Sequence, residues 1–346
     1  MTPRKRLDET LIAWADSDPL RDAVAATILC LADGAAKLSR LLASGPLAGN
    51  LGAVLFDGEA GEEQKALDVQ AQAIFIACLR AARVAAIASE EAPEAIPLTP
   101  DAPLLVALDP LDGSSNIDTG LTVGSIFSIL PRGTAVTFEH EFLRPGTTQL
   151  AAGYVLYGPH TSLVLSVGDG TDLYVLDPES GMFHLAQAKL EIPRGKAEFA
   201  INMSNYRHWE EGVRAYIDDC LSGRDGPQQT DFNMRWLACL VAEAHRIFSR
   251  GGLYLYPADA RKGYGSGRLR LIYEANPIAM LVHQAGGLAT DGAMPILEKI
   301  PVKLHQRTPL MFGAREKMER LATYLNGPGG DGERAPLFRR RTLFCA

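Results

Sequence analysis

The run Leu108-Asp109-Pro110-Leu111-Asp112-Gly113-Ser114-Ser115-Asn116-Ile117-Asp118 decides the fold and most of the chemistry. Before it, Pro103-Leu104-Leu105-Val106-Ala107-Leu108 is a short apolar run that reads as a buried strand. The strand ends in two carboxylates three positions apart, Asp109 and Asp112, followed by Gly113, Ser114 and Ser115. Asp112-Gly113 makes the turn, because glycine accepts backbone conformations that other residues avoid. Backbone N–H groups and the hydroxyls of Ser114 and Ser115 then point outward together. Carboxylates bind Mg²⁺, whereas N–H groups and hydroxyls bind phosphate. One turn thus brings a metal to a phosphate oxygen, as metal-assisted phosphate ester hydrolysis requires.

Working outward, Ser17-Asp18-Pro19 begins a helix, with a capping side chain and then Pro at the first helical position. Apolar spacing continues that helix to about Ala43, before Gly45. A loop rich in Gly and acid follows, from Asp57 to Gln64. A second long helix is expected from about Ala66 to Ala86, with Ser89-Glu90-Glu91 at its exit. From residue 103 to 190 the pattern shifts to β, with strands at 125–130, 152–157, 162–167 and 173–176. Pro193-Arg194-Gly195-Lys196 reads as a domain seam. Beyond it, strand Glu198–Met203 precedes helix Glu210–Leu221, helix Asn233–Phe248 and strand Leu253–Tyr256. Strand Leu269–Glu274 leads to a helix that Asn276 caps, with Pro277 first in it. A strand near Leu310 and a helix from Glu316 to Leu325 follow. Strand–helix alternation argues for an α/β fold. There is no internal repeat, and Gly327–Gly332 is a Gly-rich turn.

The 346 residues suffice for two domains. A formal net charge of −7 argues against general nucleic-acid or anionic-membrane binding, so a phosphorylated substrate must be met by local positive charge or metal. Arg4-Lys5-Arg6 and Arg339-Arg340-Arg341 read as solvated or ion-paired tails. No segment reaches the ~18 apolar residues of a spanning helix. The charged N-terminus lacks a signal peptide's apolar core, which makes the protein cytoplasmic by default. Cys30, Cys78, Cys220, Cys239 and Cys345 have no metal-type spacing and read as reduced thiols. His245 and His283 lie in apolar helical patterns and read as packed. No Gly-x-Ser-x-Gly, Cys–His constellation or Walker loop is present.

The opening run resembles the Asp-Pro-[Ile/Leu/Phe]-Asp-[Gly/Ser] signature of Mg²⁺-dependent, lithium-sensitive sugar and inositol phosphatases. Its longer form, through Asn116-Ile117-Asp118, resembles class I fructose-1,6-bisphosphatases. Ser89-Glu90-Glu91 is similar to that family's metal-binding pair about twenty residues before the aspartates. A glutamate pair alone reads as solvated surface, and a joint role needs a strand end or irregular backbone. Leu269-Arg270-Leu271-Ile272-Tyr273-Glu274-Ala275-Asn276-Pro277 resembles the stretch carrying the family's distal carboxylate. Asp68, in Lys65-Ala66-Leu67-Asp68-Val69, resembles the aspartate that helps activate the attacking water. Six residues earlier this chain has Glu62 where the family usually has aspartate, which leaves the role of Glu62 or Glu63 open.

The resemblance implies a layered α-β-α-β-α sandwich of two domains, 1–195 holding metal and 196–346 holding sugar phosphate. It implies two or three Mg²⁺ ions on Glu90, Glu91, Asp109, Asp112, Glu274 and the Leu111 carbonyl. Such a cluster without cations would repel itself. Asp68 or Glu91, with Glu62, would serve catalysis. Asp112, Gly113, Ser114 and Ser115 would hold the reacting end of the substrate. Asn202, Tyr206, Arg235, Tyr256 and Arg268 would hold the remote phosphate, Arg235 crossing a subunit interface within a homotetramer. Arg268 stands where the family usually has Lys, and Trp236 where it commonly has Tyr. The implied reaction is Mg²⁺-dependent hydrolysis of the 1-phosphate of fructose 1,6-bisphosphate, in gluconeogenesis or the Calvin cycle. Alternatives are sedoheptulose 1,7-bisphosphate as a further or sole substrate, and a catalytically dead sugar-phosphate sensor. AMP-inhibited members carry a Gly-Thr-Gly-Glu-type turn and a Lys-Tyr pair. Here Ser17-Asp18-Pro19 and Pro103-Leu104 stand there, so weak or no AMP inhibition is expected; the region around 140–165 lacks the cysteine-bearing insertion of thiol-regulated members, so no thiol control is expected.

Overall fold

The computed structural model describes residues 4–57 and 63–326. Glu62, Gly327–Gly332, Arg339–Arg341 and Cys345 lie outside the described residues. Helices α1 (Leu7–Ala15) and α2 (Pro19–Ser44) open the chain. Asp18 Oδ1 accepts the N–H groups of Leu20 and Arg21, both at 2.9 Å, and so caps α2. A ribbon of β1 (Val54–Asp57) and β2 (Glu63–Lys65) leads into α3 (Ala66–Leu79).

The second expected helix therefore stops at Leu79 and not at Ala86. The next apolar residues form β3 (Val84–Ser89), buried at all six positions. It is flanked by β4 (Ile96–Pro97) and β5 (Leu104–Asp112). A strand covered on both faces is as continuously apolar as a buried helix segment, and tertiary pairing decides between them. Then come β6 (Val123–Pro131), the short α4 (Phe138–Phe142), β7 (Ala151–Tyr157), β8 (Thr161–Ser166), β9 (Asp172–Leu176) and β10 (Phe183–Gln187). These strands form an eight-stranded sheet, β10-β9-β8-β7-β6-β5-β3-β4, in which β3 and β5 run parallel.

After Gln187 the chain leaves this sheet. It continues through β11 (Glu198–Ala200), α5 (Glu211–Leu221), β12 (Asn233–Met234), α6 (Leu240–Arg250), β13 (Leu253–Tyr256) and β14 (Leu269–Arg270). Last come α7 (Asn276–Gln284), β15 (Leu288–Thr290), β16 (Arg307–Thr308), β17 (Leu310–Gly313) and α8 (Arg315–Leu325). The second sheet is β12-β11-β13-β17-β15, with β12, β11 and β13 parallel.

Two boundaries differ from expectation. The helix expected from Asn233 starts only at Leu240, because Asn233–Met234 pair with β11 and the Arg235 N–H donates to the Phe199 carbonyl at 2.8 Å. The strand expected to reach Glu274 ends at Arg270. Leu271–Ala275 wind as one π-turn into α7, so Asn276 is helical and does not cap.

The cores follow five layers. One face of the first sheet, with Val106, Leu108, Phe127 and Leu163, packs against Val24, Ile28 and Leu31 of α2 and Phe75 of α3. Its other face, with Ile126, Tyr154 and Val164, packs against Val241 and Ile247 of α6 and Ile278 and Leu281 of α7. Those helices in turn cover Tyr254 and Phe312 of the second sheet. Phe199, Leu253 and Met311 on that sheet's outer face meet Tyr216 of α5 and Leu321 of α8. The order is α-β-α-β-α, as expected. His245 is half-buried against Tyr154, and burial pulls its imidazole down to about 4; His283, expected to be packed, is exposed on the last turn of α7. Cys30, Cys78, Cys220 and Cys239 are free thiols.

Candidate active site

The site grows from the end of β5. Between Asp109 and Asp112 the pairing with β6 slips, and Asp109 Oδ1 accepts the Leu111 N–H at 3.0 Å. This bulge re-aims the side chains at a strand end. Gly113 follows at φ +81°, and Ser114–Thr119 then form one short 3₁₀ segment. The Asn116 N–H donates to the Gly113 carbonyl at 2.8 Å. Ser114 is half-buried and Ser115 exposed, so both stand at the rim.

Glu274 reaches the same place from the π-turn. Asp109, Asp112 and Glu274 each bring a carboxylate oxygen within 4.8 Å of the other two. All three are pushed above the usual carboxylate range, first by burial; Asp109 and Glu274 stand well above it, raised further by neighbouring carboxylates. A buried cluster of this kind is the donor set of a hard divalent cation. The residues present therefore fit the metal that the sequence implies.

Glu90 and Glu91 follow the last residue of β3, where the strand pattern stops, as their joint use requires. The Glu90 N–H donates to the Leu108 carbonyl at 3.0 Å, which fixes the pair beside β5. Burial pushes the Glu90 carboxyl up to about 7, while Arg270 opposes the shift. Arg270 Nε lies 3.5 Å from Glu90 Oε1. Asp68 opens α3. Its Oδ2 accepts the Lys65 N–H at 2.7 Å, and its buried Oδ1 has no hydrogen-bond partner among the described residues. Burial pushes Asp68 up to about 7, with Glu91 adding to the rise. Glu90 and Glu91 thus lie within electrostatic reach of the central carboxylates, and Asp68 within reach of Glu90 and Glu91.

Asn202, Tyr206, Arg235 and Tyr256 lie at the carboxyl ends of the parallel strands β12, β11 and β13, and Arg268 immediately precedes β14. Ligands of open α/β sheets bind at such ends. Asn202 Oδ1 accepts from the Ser204 N–H and hydroxyl, at 3.2 and 2.6 Å, which orients its amide. The Tyr206 hydroxyl donates to Asp218 at 2.7 Å, so a phosphate bound there would compete with Asp218 for that proton. Arg235 is exposed just past β12. Trp236 stacks on Tyr254 with ring centroids 6.0 Å apart and meets Tyr256 edge-on at 5.8 Å. Arg268 lies 4.6 Å over the Tyr264 ring. Burial raises the Tyr256 hydroxyl, Arg268 lowers it and Glu274 raises it, so this tyrosine lies within electrostatic reach of both halves of the site.

Sequence reasoning missed Lys65, Asn116, Cys239, Glu243 and Arg270. Lys65 is buried, and its ammonium bridges the Ser114 carbonyl at 3.1 Å and Asp118 at 2.5 Å. A lysine three residues before Asp68 was the available signal. Asn116 and Arg270 stand inside motifs that were read for other members, while Cys239 and Glu243 carry no local mark.

Comparison with known proteins shows the family. Residues 16–188 match the family described as fructose-1-6-bisphosphatase, N-terminal domain, and residues 192–326 match its C-terminal domain. A class 1 fructose-1,6-bisphosphatase of Xanthobacter autotrophicus is 54% identical over 333 residues, covering 96% of this chain and 90% of its own. One from Azorhizobium caulinodans is 52% identical over 318 residues, covering 90% and 96%. The crystal structure of Leishmania major fructose-1,6-bisphosphatase in holo form superposes with a TM-score of 0.85 at 32% identity, covering 93% of this chain and 99% of that one. The chain belongs to the fructose-1,6-bisphosphatase family.

Proposed function

We propose that the protein hydrolyses the 1-phosphate of D-fructose 1,6-bisphosphate, giving fructose 6-phosphate and inorganic phosphate. The observation that carries this reading is the buried trio Asp109, Asp112 and Glu274, with Tyr256 within electrostatic reach of both Glu274 and Arg268. The trio suits the reacting phosphate with its metal, and Tyr256 with Arg268 suits the remote one. The sheet change after Gln187 supports a division into units 1–195 and 196–346.

Two or three Mg²⁺ ions would be held by Glu90, Glu91, Asp109, Asp112, Glu274 and the Leu111 carbonyl. When bound, Mg²⁺ supplies Lewis-acid polarisation of the phosphate and neutralises charge on the departing sugar oxygen. The N–H groups and hydroxyls of Gly113, Ser114 and Ser115 orient the phosphate oxygens. Asp68 Oδ1, buried and unpartnered, takes the proton of the attacking water, with Glu91 beside it. A carboxyl pushed up to about 7 is matched to that task near neutral pH. Asn202, Tyr206, Tyr256 and Arg268 hold the remote phosphate. Arg235, exposed on the monomer, reaches the substrate of a neighbouring subunit in a homotetramer.

Phosphorus NMR of the products tests the reading. Purified protein with Mg²⁺ is expected to leave fructose 6-phosphate. Fructose 1-phosphate as product, or equal rates on inositol 1-phosphate, would contradict it.

A further inference from the structure

We infer that Cys239 is a positioning residue for Asp112: its thiol and the Val241 N–H hold one carboxylate oxygen and so set the bearing of the other. This rests on the reading of Asp112 as a Mg²⁺ ligand. Asp112 Oδ2 accepts from Cys239 Sγ at 2.9 Å and from the Val241 N–H at 2.7 Å. Both donors stand at the start of α6, so a carboxylate from the first sheet caps a helix of the middle layer. Two donors on one oxygen fix the carboxylate plane, and outer partners of this kind orient metal ligands.

The thiol is itself held in place. Cys239 is 2% exposed and packs beneath the turn, where a Cβ on Gly113 would lie 2.8 Å from the Cys239 Cβ. Two residues earlier, the Leu237 N–H donates to Glu243 Oε1 of α6. The Leu237 carbonyl accepts from Asn116 Nδ2 at 3.1 Å, and that amide also donates to the Thr122 carbonyl at 3.0 Å. Ala238, between the clamped residues, sits at φ +57°, a conformation that alanine rarely adopts unless its flanks demand it. The strap Leu237-Ala238-Cys239 is thus tied to the metal turn by Asn116 and to α6 by Glu243. It presents its sulfur to Asp112 and not to solvent.

The test is Mg²⁺ titrated against the melting temperature of the substrate-free protein, for wild type, Cys239→Ser, Cys239→Ala, Cys239→Val and Asp112→Asn. Serine keeps a donor; alanine and valine do not, and valine fills the space if alanine unfolds the site. Cys239→Ala and Cys239→Val are expected to weaken Mg²⁺ binding about tenfold, with Cys239→Ser close to wild type. Wild-type Mg²⁺ binding by Cys239→Val, or Cys239→Ser as weak as Cys239→Val, would overturn the inference alone. Wild-type binding by Asp112→Asn would overturn the metal reading and the inference with it.

Discussion

Asp112→Asn and Glu91→Gln each remove a negative oxygen with little change of size. Both variants should keep the fold, read as an unchanged far-ultraviolet spectrum. They should lose all but about a hundredth to a tenth of wild-type phosphate release, the scale for a group acting directly on a metal or its partners. Asp68 adds a pH signature. Its carboxyl is pushed up to about 7 and serves as a base only when ionised, so kcat/KM should fall with pH at or below 7. Asp68→Asn should lose about 10²–10⁴ in rate and flatten that limb. An intact acidic limb in Asp68→Asn would assign the base elsewhere. Ala238→Gly should raise stability by about 1 kcal/mol, by relieving the left-handed conformation, and this is read from denaturant midpoints. Asp109, Asp112 and Gly113 were legible in sequence because their geometry is local: a strand end, a bulge and a turn within five residues. Cys239, which touches Asp112 from 127 positions away, was not. Its meeting with Asp112 is a product of the fold.

The elements were legible where local rules coincide with tertiary demand. Asp18-Pro19 announced α2, and the structure starts α2 there. The same cap bears on regulation. Asp18 already takes the N–H groups of Leu20 and Arg21 and adds negative charge at the helix end that would meet a nucleotide phosphate. AMP should therefore inhibit weakly or not at all; a titration showing half-inhibition at micromolar AMP would contradict this. By contrast, Val84–Ala86 read as the end of a helix because alanine favours helix, and only the place of Val84–Ser89 between β4 and β5 makes it a strand. The π-turn at Leu271–Ala275 was hidden for a related reason. Its apolar run, Leu271-Ile272-Tyr273, is too short for periodicity to separate a strand end from a helix entry.

At the scale of the molecule, five layers bring carboxylates of the first sheet, the π-turn and the start of α3 into one buried place. That concentration has a thermodynamic consequence. Asp68, Glu90, Asp109, Asp112 and Glu274 all hold protons more tightly in the fold than their ordinary values allow. Between about pH 4 and 7 these five groups bind more protons in the folded state than in the unfolded chain, so their contribution to metal-free stability should fall as pH rises through this window. Mg²⁺ should restore it, and the Mg²⁺-induced rise in melting temperature should be larger at pH 8 than at pH 5. Equal shifts at both pH values would mean that the carboxylates are not the binding group. Arg235→Ala should raise KM more than it lowers kcat if, as proposed, it serves the phosphate that does not react. A fully active monomer would refute its reach across subunits. The central claim is that this cluster, with a divalent cation, hydrolyses a sugar bisphosphate. Its most direct test is phosphate release from fructose 1,6-bisphosphate by wild type and Asp112→Asn as Mg²⁺ is titrated from zero. The account predicts no release without Mg²⁺, saturable activation of wild type and a near-flat response of Asp112→Asn; release by wild type in excess chelator, or equal activation of both proteins, would contradict it.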